Sequence, residues 1–307
     1  MFILNPDPYS LPTFRIGPFR TIDLSINHCL PESDLIDDYF NERFRNKDYV
    51  YTENGRRAIN IALGFFNLRK DDVVSILTTT GNFYISGCVT NEIEKFCKWS
   101  RQIEISTKVI LVNHEFGYPY EALSDIRKTG IPIIEDCAHS FFSKDEDGNI
   151  GKVGDFVIYS FPKMFPLQIG GLLVSDFQHT VEKRNQIDDI NLRYIKNVLS
   201  HYINSEDEII NKRIYNYNYL KIKFESLGFA ERFKLEQGAV PGVFMFRTDE
   251  HKIDLPELKK HFYAHGVQCS VFYGEEAFFI PVHHGLNVKD MDYFLEVMRS
   301  FIKQSAL

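Results

Sequence analysis

The 307-residue sequence has no apolar run of membrane-spanning length, and Pro6, Asp7 and Pro8 stand where a secretory leader would need hydrophobic residues. Its five cysteines (Cys29, Cys88, Cys97, Cys137 and Cys269) are odd in number and scattered, with no C-x-x-C pair. That spacing argues against a disulfide or zinc framework and for reduced thiols, so no metal site is expected. Lys and Arg form no block, and acidic residues outnumber basic ones 42 to 35, for a net charge of −7, which argues against a nucleic-acid surface. No G-x-G-x-x-G or Walker A pattern is found, which counts against a nicotinamide or nucleoside-triphosphate site. Internal repeats and low-complexity linkers are also missing. The expectation is a soluble cytoplasmic protein with neither nucleic-acid nor membrane partners. Aromatics are plentiful instead: 27 Phe and 16 Tyr, but a single Trp. Such a surplus suits a broad buried interface or an aromatic-lined pocket.

The stretch from Ile133 to Ser175 organises the chain. Three short apolar runs, each bounded by turn residues, read as strands: one ending at Asp136, one running from Gly154 and ending at Lys163, and one opened by Gly170-Gly171. Upstream, Asp48–Thr52, Asp72–Thr78 and Lys108–Asn113 read as strands. Helices are predicted over Glu32–Phe44, Ala58–Leu68, Ser86–Trp99 and Glu121–Thr129. Alternating strands and helices with short links predict a parallel sheet. Residues 48–176 then form an α/β core, preceded by an irregular segment over 1–47. A helical connection over 177–227 leads to a smaller α+β unit over 228–307, with strands at Pro241–Phe246 and Val267–Tyr273 and a last helix from Val288. Strand ends are where α/β sheets place ligands. A carboxylate and a lysine brought to one crevice suit a cofactor that needs an imine to lysine and an acid opposite its ring nitrogen, as pyridoxal phosphate does.

Ile134-Glu135-Asp136-Cys137-Ala138-His139, Gly154-Asp155, Ser160-Phe161, Lys163 and Gly170-Gly171 together resemble the motif series of the DegT/DnrJ/StrS aminotransferases. These pyridoxal-phosphate enzymes typically aminate keto-sugars attached to nucleotides. The resemblance implies the type I, aspartate aminotransferase-like fold of such transferases, with Lys163 as the imine-forming residue and Asp136 as partner of the pyridinium nitrogen. It implies an amino-acid donor, a keto-sugar or related carbonyl acceptor, and a homodimer. Gly55 and Arg56 occupy the family's phosphate-binding S-G-T position at a helix start, a geometry that favours anions by itself. Ser160 is the further expected phosphate ligand, and His139 is expected against the ring. Phe83 or Tyr84 would stack on the cofactor, and the sequence does not choose between them. His114, with Gly117, matches the family's V-H-x-x-G, but a lone His also suits a cap, a core hydrogen bond or a solvent position.

The sequence departs from the family's pattern in three places. One residue, Pro162, separates Phe161 from Lys163 where three are usual. Ile169 replaces a Glu, and no clean G-x-N-x-R segment is found, Asn191-Leu192-Arg193 being a loose echo. These departures leave two other readings open: an aminotransferase-like binding protein without catalysis, and a pyridoxal-phosphate enzyme of another reaction type.

Overall fold

The computed structural model describes residues 12–45, 47–148, 150–176 and 187–305. The first ten residues of the expected helical connection (177–186) lie outside that set.

A seven-stranded sheet is built from β1 (Asp48–Thr52), β2 (Val73–Thr78), β3 (Lys98–Ser100), β4 (Thr107–Asn113), β5 (Ile133–Asp136), β6 (Phe156–Ser160) and β7 (Gly171–Ser175), in the order β1-β7-β6-β5-β4-β2-β3. The pairs β2–β3, β2–β4, β4–β5 and β5–β6 are parallel. β7 runs antiparallel to both of its neighbours, β6 and β1. The expected mostly parallel α/β sheet is therefore present, with one reversed strand. The central strands β2, β4 and β5 are buried almost throughout, which explains why their sequences are continuous apolar runs.

The reversal at β7 accounts for Gly170-Gly171. Gly170 has φ +106°, a conformation side chains avoid, and its N–H donates to the Glu53 carbonyl. A Cβ on Gly171 would stand 2.8 Å from each of three atoms: the Asn54 carbonyl carbon, Thr52 Oγ1 and the Tyr159 carbonyl oxygen. Only glycine lets β7 pass between β1 and β6 at this point.

Helix α3 (Gly55–Phe65) buries Ala58, Ile59, Ile61, Ala62 and Leu63 against the sheet, and the Asn54 side chain caps it by accepting from the Arg57 N–H at 3.0 Å. Three expectations are corrected. The helix predicted over Ser86–Trp99 ends at Glu94 (α4, Gly87–Glu94), because Trp99 and its neighbours pair with β2 as β3. The helix predicted over Glu121–Thr129 shrinks to α5 (Leu123–Arg127). The segment expected to be irregular contains α1 (Thr21–His28) ahead of α2 (Leu35–Arg43), the latter inside its predicted span.

Helices α6 (Asp189–Ile203) and α7 (Glu206–Glu225) lead to a three-stranded antiparallel sheet, order β8-β10-β9, made of β8 (Val243–Arg247), β9 (Ser270–Val271) and β10 (Ala277–Pro281). Only two residues of the predicted Val267–Tyr273 strand pair as strand. Helices α8 (Leu255–Ala264) and α9 (Val288–Ser305) complete this part. The N-terminal segment ties it to the large sheet. Phe14 bridges Val267, with its N–H donating to the Gly266 carbonyl at 2.9 Å, and Gly17 backs directly onto the Pro162 carbonyl beside Lys163.

Candidate active site

β4, β5 and β6 end side by side, so parallel pairing alone delivers their C-terminal residues to one edge. Asn113 and Asp136 are register partners, and Asp136 is next to Ile158, two residues before Ser160. Over this edge opens a cavity of about 340 Å³, lined from the large sheet by Asn113, His139 and Lys163, from α4's approach by Tyr84 and Ser86, and from the small sheet by Gln268 and Ser270. Ile16 and Gly17 of the N-terminal segment also line it.

Asp136 lies beneath this cavity and is only 4% exposed. One carboxylate oxygen accepts from Asn113 Nδ2 and the other from the Ala138 N–H, each at 3.0 Å. Burial pushes its carboxyl up, and these two hydrogen bonds oppose the shift. Lys163 closes a short 3-10 turn, Phe161–Lys163. Burial pulls its ammonium down against the attraction of Cys88 and Asp136. Among the described residues no carboxylate oxygen lies within 4.0 Å of its Nζ. A desolvated lysine near, but not locked to, a buried carboxylate is a group whose amine is available at a lower pH than usual.

The one-residue link before Lys163 has a counterpart in the fold. Arg213 of α7 is fully buried and donates to the Lys163 carbonyl at 3.0 Å and to the Pro241 carbonyl at 3.1 Å. Burial pulls this guanidinium down to about 9. Sequence reasoning missed it, although a signal existed. Arg213 falls on the inward stripe of α7 with Ile209, Asn216, Tyr217, Leu220 and Phe224, where a charged residue is out of pattern. Asn113 was missed as well, and its place at the end of a strand beside the one carrying Asp136 was the available clue.

The remaining expected residues divide. Gly55 begins α3, and a Cβ there would reach within 3.2 Å of Ser160 Cβ, so the helix start and Ser160 meet; Arg56 is exposed on the same helix start, and none of the three is among the residues lining the cavity. Of the two aromatics, Tyr84 lines the cavity, packed near Phe116 and Phe272, whereas Phe83 is 66% exposed and takes no part in the lining. His139 lines the cavity with its Nδ1 buried and without a hydrogen-bond partner, and burial together with Lys163 and Arg213 holds its imidazole well below the usual range.

His114 is corrected from a cofactor-facing position to a core hydrogen bond. Its Nδ1 accepts from the Tyr120 N–H at 3.0 Å, so Nε2 carries the proton donated to Glu135 at 3.2 Å. Glu135 in turn accepts from the N–H groups of Gly151 and Gly154. Cys137 brings its sulfur to the same cluster, whose donor atoms all lie within 4.8 Å of one another. With the imidazole and both carboxylate oxygens already engaged, the cluster serves to hold the loop before β6.

Three imidazoles lie near Arg213: His139, His283 (also drawn well below the ordinary value) and His284 (to about 3), each chiefly by burial. Folding keeps them neutral, whereas the unfolded chain protonates them near pH 6.5. The contribution is thus complete above about pH 6.5 and is lost as pH falls toward the depressed folded values, by at most about 1.4 kcal/mol per pH unit for each histidine. Asp136 and Glu115, both raised by burial, act in the opposite sense at lower pH. Denaturant midpoints are expected to fall steeply between about pH 6.5 and about pH 5. A flat profile across that window contradicts the burial of neutral imidazoles.

The fold and the cleft define a class, the type I fold of pyridoxal-phosphate-dependent transferases. An aminotransferase from Streptoalloteichus hindustanus, TlmJ, superposes with a TM-score of 0.72 at 14% identity, covering 97% of this chain and 100% of that one. E. coli GDP-4-keto-6-deoxy-D-mannose-3-dehydratase, solved with bound hydrated PLP, superposes with a TM-score of 0.66 at 15% identity, covering 94% of this chain and all of that one. Residues 95–194 match the DegT/DnrJ/EryC1/StrS aminotransferase family, so the resemblance carried by the Asp136 and Lys163 motifs is borne out. Over 100 residues the chain is 32% identical to dTDP-4-amino-4,6-dideoxy-D-glucose transaminase of Shigella dysenteriae, a match spanning 29% of this chain and only 27% of that relative. Among the described residues no helix is long and apolar enough to cross a membrane.

Proposed function

We propose that this protein is a pyridoxal-phosphate-dependent aminotransferase that moves an amino group from an amino-acid donor to a keto-sugar, nucleotide-linked as in the related transaminase. The observation that carries this reading is the convergence of a desolvated Lys163 and a buried Asp136 at one sheet edge, under a cavity large enough for a cofactor ring.

The residues present fit such a cofactor. Asp136 is buried at a cost that a ring N–H⁺ would offset, and His139 lines the cavity with an imidazole that burial keeps neutral. Lys163 would hold the cofactor covalently and Asp136 its ring nitrogen. Gly55, Ser160 and Arg56 would hold its phosphate, with Tyr84 and His139 beside the ring. The bound cofactor would supply an electron sink. Asp136 keeps the proton on the ring nitrogen that makes the sink effective. Lys163, its amine favoured by burial, takes and returns the proton at the donor's α-carbon. Arg213 fixes the backbone from which Lys163 reaches.

The test is direct. Protein purified with pyridoxal phosphate should carry a visible band that borohydride bleaches, with the reduced adduct on Lys163, and L-glutamate should discharge the band. A colourless protein points instead to the non-catalytic binding reading. A dehydration, the reaction of the similar E. coli enzyme, is the second reading, and product analysis with a keto-sugar nucleotide separates the two. The working unit we infer is a homodimer. Exposed Ile190 (80%), Ile222 (66%) and Tyr215 (50%) support a covered surface, and Arg193 stands exposed on α6, paired with Glu32 at 2.9 Å. Sedimentation at the 35.8 kDa mass of one chain overturns it.

A further inference from the structure

The small-sheet wall of the cleft is assembled from hydrogen-bond donors. On α8, Lys260 faces outward and pairs with Glu257 at 2.6 Å, one turn back. Its neighbour Lys259 lines the cleft instead, with Nζ 3.4 Å from Ser270 Oγ and 5.8 Å from the Tyr273 ring. Among the described residues no carboxylate oxygen lies within 4.0 Å of it, in a protein with more acidic than basic side chains. Gln268 lines the same wall. Its Oε1 accepts from the Ile16 N–H at 2.8 Å, which fixes the amide orientation and makes its NH₂ the end available as a donor.

Among the described residues the cleft has one lining carboxylate, Glu115, whose charge Arg101 and Arg232 already offset. Its Oε2 accepts from both the N–H and the hydroxyl of Thr80 at 2.7 Å, its Oε1 is buried without a hydrogen-bond partner, and burial pushes its carboxyl up. A cavity with a lysine on each wall and a donor-rich rim, its lining carboxylate offset by two arginines, attracts negative charge even though the whole chain is acidic.

We propose that Lys259, with Ser270 and Gln268, is the anion-recognition element of the cleft and binds a carboxylate or phosphate group of a substrate. The chemistry has two sources under the function proposed above, on which this inference rests: the α-carboxylate of the amino donor and the diphosphate of a nucleotide-linked acceptor. Lys259 is partly exposed and lies on the outer wall, so Lys259→Ala should fold normally, with a melting temperature within about 2 °C of the parent.

The experiment is calorimetric titration of the cofactor-loaded protein with L-glutamate and, separately, with UDP, for the parent, Lys259→Ala and Lys259→Arg. Loss of one charge-assisted hydrogen bond should weaken one probe about 10- to 100-fold in Lys259→Ala. Lys259→Arg should retain binding within about threefold, because the charge is kept. Weakening confined to L-glutamate assigns the site to the donor carboxylate, and weakening confined to UDP assigns it to the acceptor diphosphate. Parent-like binding of both probes by Lys259→Ala overturns the proposal, as does failure of the parent protein to bind either. The same titrations without pyridoxal phosphate, beside the visible spectrum of the parent, separate failure of this site from failure of the cofactor reading.

Discussion

Lys163→Ala is expected to remove the borohydride-sensitive visible band and to lower amino transfer roughly 10⁴-fold or more, while leaving the protein folded. The activity loss follows from assigning both the covalent attachment and the proton transfer to one amine, so no second group in the cleft replaces it. His139 is the nearest alternative base, but its partnerless Nδ1 is closed off by Gly242, on which a Cβ would come within 2.8 Å. The fold should survive, because the turn at Lys163 is held through its backbone. Arg213 grips the carbonyl, and the Met164 N–H donates to the Phe161 carbonyl at 2.9 Å. Since burial disfavours the ammonium, its removal should leave stability unchanged or slightly raised. A Lys163→Ala protein that keeps the band and turns over places the reactive amine elsewhere and refutes the assignment.

The second large effect is expected at Asp136. Asp136→Asn preserves shape and can still accept from the Ala138 N–H, which should keep the strand end in place, while its NH₂ replaces the oxygen that accepted from Asn113 Nδ2 and that hydrogen bond is lost. It also removes a carboxyl that burial makes costly to ionise, so apo-protein stability should change by less than about 1 kcal/mol. An amide cannot hold a proton on a ring nitrogen. The variant should therefore bind pyridoxal phosphate but lose about 10²–10⁴-fold in turnover, a loss in kcat rather than KM. Turnover equal to the parent's would take Asp136 out of the mechanism. Loss of cofactor binding together with turnover would assign it a holding role alone.

Asp136 and Lys163, the residues proposed for the chemistry, were legible because each sits at the end of a short apolar run, and parallel pairing puts such ends at one edge whatever the rest of the chain does. Ser160 and the glycine pair came instead from the motif series that carries the family resemblance. For Gly170-Gly171 the structure adds the reason, a positive φ followed by a three-sided contact with Asn54, Thr52 and Tyr159. Residues read by motif position alone fared unevenly. His114 holds the predicted place in the chain, yet its ring turns into the core toward Glu135, because neither spacing nor composition specifies which face of a loop a single side chain takes. Tyr84 and Phe83 are adjacent and chemically alike, and only the packing of Tyr84 beside Phe116 and Phe272 separates them.

The sequence by itself determined most of the order of strands and helices in the large sheet, β3 excepted, and which lysine and aspartate lie at its strand ends. Those properties depend on local periodicity, turn chemistry and composition, and neighbours along the chain decide them. Tertiary structure alone decided what closes over that pair. Gly17 meets Pro162 across some 145 residues of chain, Arg213 reaches the Lys163 carbonyl from a helix 50 residues on, and Lys259 and Ser270 form the opposite wall. Periodicity marks Arg213 as out of pattern on the inward stripe of α7 but not what it meets, since contacts of that separation depend on the packing of whole elements rather than on the residues beside them.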